Sequence, residues 1–268
     1  MKISGYIPSS VGAAFATVTE PDTPAQRPGL VLIPPFGQEA KSTVRVYARL
    51  SQRLAYSGYP SLRLDLCGTG DSTGDHAAIT WQSWLDDIRT VLDSLSASAP
   101  RPWGLLGTRL GGLLAAETAR SMEVSSLILI EPIADGAAHL DDLIRRRAIR
   151  SMMSGDEASA TEPSPADAWA AGQCVDFGGY PVNPQLAADL RDRQLNTILE
   201  SLSPSLPITL FRVAATQRLS GPWTQLFETV NARPTGTAEI LRDKPFWGQI
   251  EYYESDIVLD KIIEAYTD

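Results

Sequence analysis

Residues 104–112 read GLLGTRLGG, and this stretch decides the fold of the chain. The apolar run at 103–106 predicts a buried strand, and residues 110–120 predict a helix that packs closely through glycine and alanine. Glycines at 107 and 111 allow a sharp turn between strand and helix. Its central residue, Arg109, is expected to take a strained backbone conformation and to project into a pocket.

Strand and helix patterns alternate on both sides of this turn. Apolar runs at 30–34, 61–66, 127–130, 208–213 and 237–241 predict further strands, and amphipathic segments between them predict helices. Alternation at this spacing is typical of a parallel sheet covered by helices on both faces. We therefore expect an α/β fold.

The alternation breaks between residues 134 and 199, where the sequence contains no convincing strand. Helical pieces at 140–153 and 185–199 flank a loop at 155–167 that is rich in Asp, Glu, Ser and Pro. Insertions over the carboxyl ends of strands commonly cover a site, so we interpret 134–199 as a helical lid. The predicted domains are a core of residues 1–133 and 200–268, and a lid of residues 134–199.

The turn at 107–111 resembles the G-x-S-x-G nucleophile elbow of the α/β-hydrolases. Two other loops stand in the order that this fold requires. Residues 34–39 (PPFGQE) take the place of the loop that supplies an oxyanion-hole N–H, and residues 65–72 (DLCGTGDS) resemble an Asp-x-x-Gly-x-Gly-x-Ser turn. The predicted fold class is therefore an α/β-hydrolase fold, a mostly parallel sheet flanked by helices, with the helical lid inserted before the last two strands.

The sequence does not supply the catalytic triad of that fold. Arg109 stands at the nucleophile position, residues 214–218 (AATQR) carry no acid, and residues 242–247 (RDKPFW) carry no histidine. The two histidines, His76 and His139, come too early in the chain. A serine hydrolase without its triad keeps only about 10³–10⁴-fold acceleration over water. We therefore expect no ordinary serine esterase turnover, and the catalytic residues are unknown.

The chain also resembles the α/β-hydrolase-like proteins known as exosortase A system-associated hydrolase 2. This resemblance implies the fold, the arginine elbow and a place beside bacterial genes of exopolysaccharide biosynthesis and protein sorting, while it defines no activity. The matching segments are residues 34–39, 64–74, 81–87, 107–116, 179–180, 184–188 and 245–247.

Arg109 marks the expected ligand site. A guanidinium beside a helix N-terminus and the free N–H groups of Gly37 and Leu110 suits a carboxylate or a phosphate. The alternative is structural: Arg109 forms an internal ion pair with Glu39 or Glu131, because an unpaired buried arginine is costly.

Other residues near this pocket have open roles. Glu131 ends a strand and is either a general base or the partner of Arg109. His139 lies in the lid and reaches the pocket only if the lid closes. Phe246 and Trp247 take the place of the missing histidine, where they pack the pocket floor or stack on a ligand. The predicted ligand-binding residues are Arg109, Phe36, Gly37, Leu110, Glu131, Phe246, Trp247 and His139.

Several further residues favour a structural interpretation. Asp65 is expected to organise its loop as a hydrogen-bond acceptor, and Cys67 to be an inert thiol. His76 either lines the mouth of the pocket or is a solvated loop histidine, and the solvated role is the one we expect. Trp81 and Trp84 fall on a helical stripe and are expected in the core.

The charge balance limits the partners. The chain has 23 basic and 32 acidic residues, a net charge of −9, so nucleic acid is a poor partner. Arginines at 145–147 and 150 form a dense basic cluster that either attracts an anion or pairs with Asp141, Asp142 and Glu157. We find no phosphate-binding loop and no metal-ligand spacing, and predict no cofactor and no metal.

The chain shows no signal peptide and no apolar run of about 18 residues, so no membrane span is expected. With two cysteines and no disulfide framework, we predict a cytoplasmic protein. The sequence leaves the oligomeric state open.

Three functions remain. The first is a protein that binds an anionic small molecule or a peptide carboxylate without turning it over. The second is a non-hydrolytic enzyme that reuses the pocket, as in peptide epimerisation with substrate-assisted catalysis, which a relative of this fold performs in bottromycin biosynthesis. The third is a protein-interaction module.

Overall fold

The protein is described here from a computed structural model that covers residues 1–22, 28–98, 102–154, 163–249 and 251–267. The strands are β1 (Lys2–Ser9), β2 (Gly12–Thr19), β3 (Leu30–Ile33), β4 (Ser61–Asp65), β5 (Gly104–Thr108), β6 (Leu127–Ile130), β7 (Val175–Asp176), β8 (Pro181–Val182), β9 (Ile208–Val213) and β10 (Gly236–Leu241). The helices are α1 (Gln38–Tyr56), α2 (Trp81–Ser98), α3 (Leu110–Thr118), α4 (Gly136–Ser154), α5 (Pro165–Ala170), α6 (Pro184–Arg191), α7 (Leu195–Ser201), α8 (Gly221–Asn231) and α9 (Asp256–Thr267), with a 3-10 turn at His76–Ala78.

Eight strands form one sheet in the order β1-β2-β4-β3-β5-β6-β9-β10. From β4 to β10 all neighbours run parallel, and β1 and β2 add an antiparallel hairpin at the β4 edge. The sequence therefore predicted the parallel strands correctly. It did not predict the β1–β2 hairpin, whose two-residue turn at Ser10 and Val11 has no Asn-Gly or Asp-Gly signal.

The central strands are buried on both faces, which explains why they read as continuous apolar runs. Val31 and Ile33 pack with α2, α3 and α8 on one face, whereas Leu30 and Leu32 pack with α1 and α9 on the other. Trp81 and Trp84 are both 1% exposed in the first of these cores, as the stripe on α2 predicts.

The chain reverses its direction of sheet building at β3, which pairs with β4 on one side and with β5 on the other. A crevice opens at such a switch point, outside the carboxyl ends of the two strands. The loop at residues 34–37 follows β3 and the turn at 107–111 follows β5, so the topology brings the two together. We call residues 107–111 the elbow.

The 134–199 segment is largely helical but differs from the prediction in two details. It contains the two-residue strands β7 and β8, which pair antiparallel. The helix expected at 185–199 is in fact two helices, α6 and α7. The break arises because residues around Gln194 bond to the start of α4: Gly136 N donates to Arg193 O (2.9 Å) and Leu195 N donates to Ala134 O (2.9 Å). Most of the acidic loop expected at 155–167 lies outside the described residues.

None of the helices in the described ranges is both long and apolar enough to cross a membrane.

Close packing at the elbow depends on its glycines. A Cβ added at Gly107 would overlap the carbonyl oxygen of Gly111, and one added at Gly111 would overlap the carbonyl oxygens of Ile33 and Pro34. We expect Gly107→Ala to lower the free energy of unfolding by about 1–3 kcal/mol or more, because backbone atoms cannot move aside as a flexible side chain can.

Urea unfolding of the purified variant measures this change. Gly221→Ala is the matched control, since a Cβ there meets nothing within 4 Å, and its effect should stay within about 0.5 kcal/mol. Equal effects of the two substitutions would contradict the packing account.

Candidate functional site

Arg109 sits at the centre of the elbow with φ 55° and ψ −120°, a conformation that L-residues rarely adopt. Its backbone is held on both sides. Arg109 N donates to Ile130 O (3.0 Å), and Arg109 O accepts from Gly112 N (3.0 Å) and from Ile133 N (3.2 Å). The turn thus fixes where the side chain at this position points.

The Arg109 guanidinium meets three partners. Its Nε lies 3.3 and 3.2 Å from the two carboxylate oxygens of Glu39, and Nη1 donates to the backbone carbonyl of Glu131 (3.4 Å). The ring centroid of Trp247 lies 5.8 Å from Cζ. The side chains of Arg109 and Glu39 are only 16% and 12% exposed. Each charge is therefore poorly solvated, and each neutralises the other.

This arrangement decides between the two carboxylates that the sequence left open as partners of Arg109. Glu39 forms the ion pair. The Glu131 carboxylate instead accepts from Val213 N (2.8 Å) and so joins the ends of β6 and β9. Burial raises the pKa of Glu131, and the bond from Val213 and the charges of Arg212 and Arg109 partly oppose that rise.

Gly37 and Leu110 each stand at the start of a helix. Gly37 caps α1 with φ 66°, and Leu110 is the first residue of α3. The first N–H groups of a helix have no partner within the helix, so the role of these two residues as donors to a ligand stays a prediction. The side chain of Leu110 is buried beside Phe36 and Trp84.

A cleft of about 380 Å³ opens between the residues that follow β3 and the inner face of α4. We call this space the cleft. Its lining consists of Phe36, Gly37, Gln38, Glu39, His139, Leu143, Arg146, Ile149, Arg150, Phe177 and Gly248. Three predicted ligand-binding residues are among these (Phe36, Gly37 and His139), and Arg109 adjoins the cleft through Glu39.

His139 is 8% exposed, and its Nε2 has no hydrogen-bond partner among the described residues. Burial lowers the pKa of His139 to about 3, with Arg109 and Arg146 adding to the effect and Asp142 opposing it. At neutral pH the ring is therefore uncharged. The sequence expected His139 to reach the pocket on closure, and in this structure it already lines the cleft.

The arginines at 145–147 and 150 differ in their contacts. Asp142 pairs with Arg145 and, at 2.6 Å, with Arg146, which agrees in part with the expected solvated face. Asp141 lies 3.7 Å from Arg191 instead, and Glu157 lies outside the described residues. Arg146 and Arg150 also line the cleft. Attraction of an anion was one of the two alternatives that the sequence left open for this cluster, and the structure brings two of its members to the cleft.

Phe246 and Trp247 do not behave alike. Phe246 is fully buried in the core on the α1 and α9 face, with its ring centroid 5.0 Å from that of Trp247. Trp247 is 8% exposed and presents its ring to Arg109. Both rings pack against other side chains, and neither is among the described residues that line the cleft.

The prediction of a solvated His76 is wrong. The ring contacts Phe36, Trp84 and Tyr180, with centroids 5.8, 6.5 and 5.7 Å away. Its Nδ1 lies 3.0 Å from Pro181 O. The 134–199 segment supplies Tyr180 and Pro181, and it covers a loop that would otherwise face water.

Two structural interpretations are confirmed. Asp65 Oδ2 accepts from Asp71 N (3.0 Å), which organises its loop. Cys67 is buried, and burial raises the pKa of its thiol, which disfavours the reactive thiolate. Within the part of the chain that the structure describes, no three His, Cys, Asp or Glu side chains form a cluster suited to a metal ion.

The low pKa of His139 predicts a pH dependence of stability. In the unfolded chain the ring takes a proton near its ordinary pKa of about 6.5, whereas the folded protein resists protonation down to about 3. Between these values the unfolded state binds the extra proton, so stability falls as the pH falls. The slope approaches about 1.4 kcal/mol per pH unit, and above about pH 6.5 the contribution vanishes.

We expect His139→Leu to remove this slope, because leucine fits a buried position without a titratable group. Denaturant unfolding of both proteins at pH 7.5 and pH 4.5 measures it, and circular dichroism at pH 7.5 verifies that the variant folds. Parallel pH profiles for the two proteins would contradict a neutral, desolvated His139.

Comparisons with known proteins agree with this architecture. Residues 40–154 match the family model described as "Serine aminopeptidase, S33". No protein of curated function matches the chain significantly. The resemblance to exosortase A system-associated hydrolase 2 is not tested by these findings and stays a prediction.

Solved structures match over the whole chain at low sequence identity. Est1E from Butyrivibrio proteoclasticus with bound ferulic acid is 18% identical, with a TM-score of 0.66 and coverage of 98% of this chain and 96% of that chain. An esterase domain from Rhodothermus marinus is 19% identical (TM-score 0.66, 100% of both chains). A thermostable carboxyl esterase from Bacillus coagulans in complex with glycerol is 14% identical (TM-score 0.65, 100% and 99%). The chain therefore has the α/β-hydrolase fold.

Proposed function

We propose that this protein binds an anionic small molecule or a peptide carboxylate in the cleft, with the 134–199 segment as the lid over it. The observation that carries the proposal is the charge of the lining. Arg146 and Arg150 line the cleft, where Arg146 also pairs with Asp142, and the lining residue Glu39 pairs with Arg109. Three guanidinium groups thus face two carboxylates at the cleft, which makes the local charge positive on a protein whose net charge is −9.

The size and the other walls of the cleft are compatible with this role. About 380 Å³ lies within the range of small-molecule sites, which are mostly apolar with a few placed polar groups. Phe36, Leu143 and Phe177 supply apolar walls. Gly37, at the cap of α1, adds a helix N-terminus that favours negative charge.

In this proposal the predicted site residues form two layers. Phe36, Gly37 and His139 contact the ligand directly, together with Arg146 and Arg150. Beneath them, a floor of Arg109, Leu110, Glu131, Phe246 and Trp247 shapes the site. Arg109 keeps the bottom of the pocket closed by its bonds to Glu39 and to the Glu131 carbonyl.

We further propose that the protein does not hydrolyse esters or peptides through a Ser-His-Asp triad. The elbow carries a paired guanidinium in place of a hydroxyl or thiol. Of the two histidines of the chain, His76 is packed among aromatic rings, and His139 is too weakly basic at its low pKa to serve as an efficient general base near neutral pH.

One of the solved structures that resemble this chain supports the proposal of a carboxylate ligand. Est1E was solved with bound ferulic acid, which is a carboxylic acid, so a related fold can hold such a ligand. The esterase descriptions of other neighbours concern those proteins. Their activity does not transfer to a chain with arginine at the elbow.

A second candidate is a non-hydrolytic enzyme acting on a molecule bound in the same cleft. The unpartnered Nε2 of His139 favours it, because a neutral imidazole can orient a bound substrate by a hydrogen bond while the substrate supplies its own base. Incubation of bound ligands in deuterated water, followed by mass spectrometry, separates the candidates: deuterium exchange at carbon supports catalysis, and its absence supports binding alone.

Anion binding is tested by calorimetric titration with octanoate and with its neutral methyl ester. We expect octanoate to bind and the ester to bind at least tenfold more weakly, because hydrogen bonds to a charged group contribute about 1.5–3 kcal/mol. Arg146→Gln should weaken octanoate binding by about tenfold for the same reason.

Arg145→Gln is the matched control, because Arg145 pairs with the same Asp142 but is absent from the lining of the cleft. Its effect should stay below twofold. Equal losses in both variants, or equal binding of acid and ester, would contradict the proposal.

Hydrolysis is tested with p-nitrophenyl acetate and p-nitrophenyl butyrate on the wild type, Arg109→Met and Arg109→Ser. We expect all three to match the buffer rate within about twofold, since even the serine variant has no histidine placed to activate it. Wild-type turnover well above that of Arg109→Met would refute the triad-less account.

A further inference from the structure

One face of α4 presents an imidazole, an apolar side chain and two guanidinium groups to the cleft. His139, Leu143, Arg146 and Arg150 all line the cleft, and their spacing of four, three and four residues places them on one side of the helix. A ligand lying along this side meets a neutral imidazole first, an apolar stretch next, and two guanidinium groups at the far end.

The imidazole end lacks a partner. His139 Nε2 is buried without a hydrogen bond among the described residues, and a buried polar atom left unsatisfied is costly. Because the ring is neutral, Nε2 is a donor in one tautomer and an acceptor in the other. A hydroxyl group both donates and accepts, so it satisfies either tautomer.

The distance between the two ends sets the length of the ligand. His139 and Arg146 are seven residues apart, which is about 10 Å along the helix axis. Between them the walls of the cleft are Phe36, Leu143 and Phe177. A chain of this length that is polar throughout would lose hydrogen bonds to water here, whereas an apolar chain would not.

We propose that the ligand is an elongated hydroxycarboxylic acid: its carboxylate lies at Arg146 and Arg150, its hydroxyl group bonds to His139 Nε2, and an apolar chain joins the two along α4. This inference rests on the proposed function, because it names the class of anion that the cleft takes. It assigns to His139 the choice between hydroxylated and plain acids, and to the arginines the affinity for both.

The test compares 8-hydroxyoctanoate, whose extended chain matches the spacing, with octanoate and with the short 4-hydroxybutanoate. Calorimetry on the wild type should give 8-hydroxyoctanoate a two- to tenfold advantage over octanoate, the range of one neutral hydrogen bond. The short acid should bind more weakly than both, because it cannot reach the two ends at once.

The variants assign the advantage to its residue. His139→Leu should abolish the preference for the hydroxyl group, so that this variant binds 8-hydroxyoctanoate and octanoate with equal affinity. Arg146→Gln should weaken both acids by the same factor, and Arg145→Gln should weaken neither.

A second readout does not depend on the variant folding. The chain has two histidines, so the ¹⁵N signals of His139 can be followed in the wild type with His76 as the internal reference. Addition of 8-hydroxyoctanoate should shift the His139 Nε2 signal, and octanoate should shift it far less.

The outcomes separate the two proposals. If octanoate binds through Arg146 but the hydroxyl group adds nothing, or adds as much in His139→Leu, the hydroxy-acid inference is wrong and the anion site stands. If neither acid binds, both proposals are wrong.

Discussion

The ion pair between Arg109 and Glu39 is the constraint around which this site is organised. The elbow forces whatever side chain stands at position 109 into the crevice between β3 and β5, and a guanidinium placed there is 16% exposed. Such a cation needs a carboxylate partner close by. Glu39 provides it from the first turn of α1, and the pair thereby links the elbow to the loop that follows β3.

Because Arg109 is paired, the side chains that can contact a ligand lie away from the elbow. With Arg109 engaged by Glu39, by the Glu131 carbonyl and by the ring of Trp247, the crevice floor is closed by bonded groups. The space that remains lies against α4, where it is lined by the imidazole of His139, by Arg146 in its pair with Asp142, and by Arg150. The fold is that of the α/β-hydrolases, and we propose that the groups at this space bind an anion.

Much of the fold could be predicted from the sequence because its signals are local. Apolar runs such as Leu127–Ile130 must be buried on both faces, and the glycines at 107 and 111 allow a turn that few other residues allow. The β1–β2 hairpin could not be predicted, since its turn lacks the usual residues and its small side chains alternate weakly. The division of α6 from α7 depends on bonds to residues 134–136, nearly sixty positions away.

The site could be predicted only in part, because its contacts join residues that are far apart in the chain. The position of Arg109 follows from the turn, but the choice of Glu39 over Glu131 depends on which carboxylate the backbone of Val213 already holds. His76 was expected in solvent because nothing in its own loop shows that Tyr180 and Pro181 cover it. The roles of Arg146 and Arg150 depend on how α4 lies over the sheet, and no local pattern encodes that placement.

We propose that the desolvated ion pair of Arg109 and Glu39 stands at the elbow where a hydrolase of this fold has its nucleophile. A thermodynamic double-mutant cycle tests it most directly, with Arg109→Met, Glu39→Leu and the double variant compared by denaturant unfolding. The account predicts a coupling energy of about 1.5–3 kcal/mol between the two side chains. The more exposed pair of Arg89 and Asp86, 3.0 Å apart, should give less than about 1 kcal/mol in the same measurement. A coupling at the elbow no larger than that of the exposed pair would contradict the account.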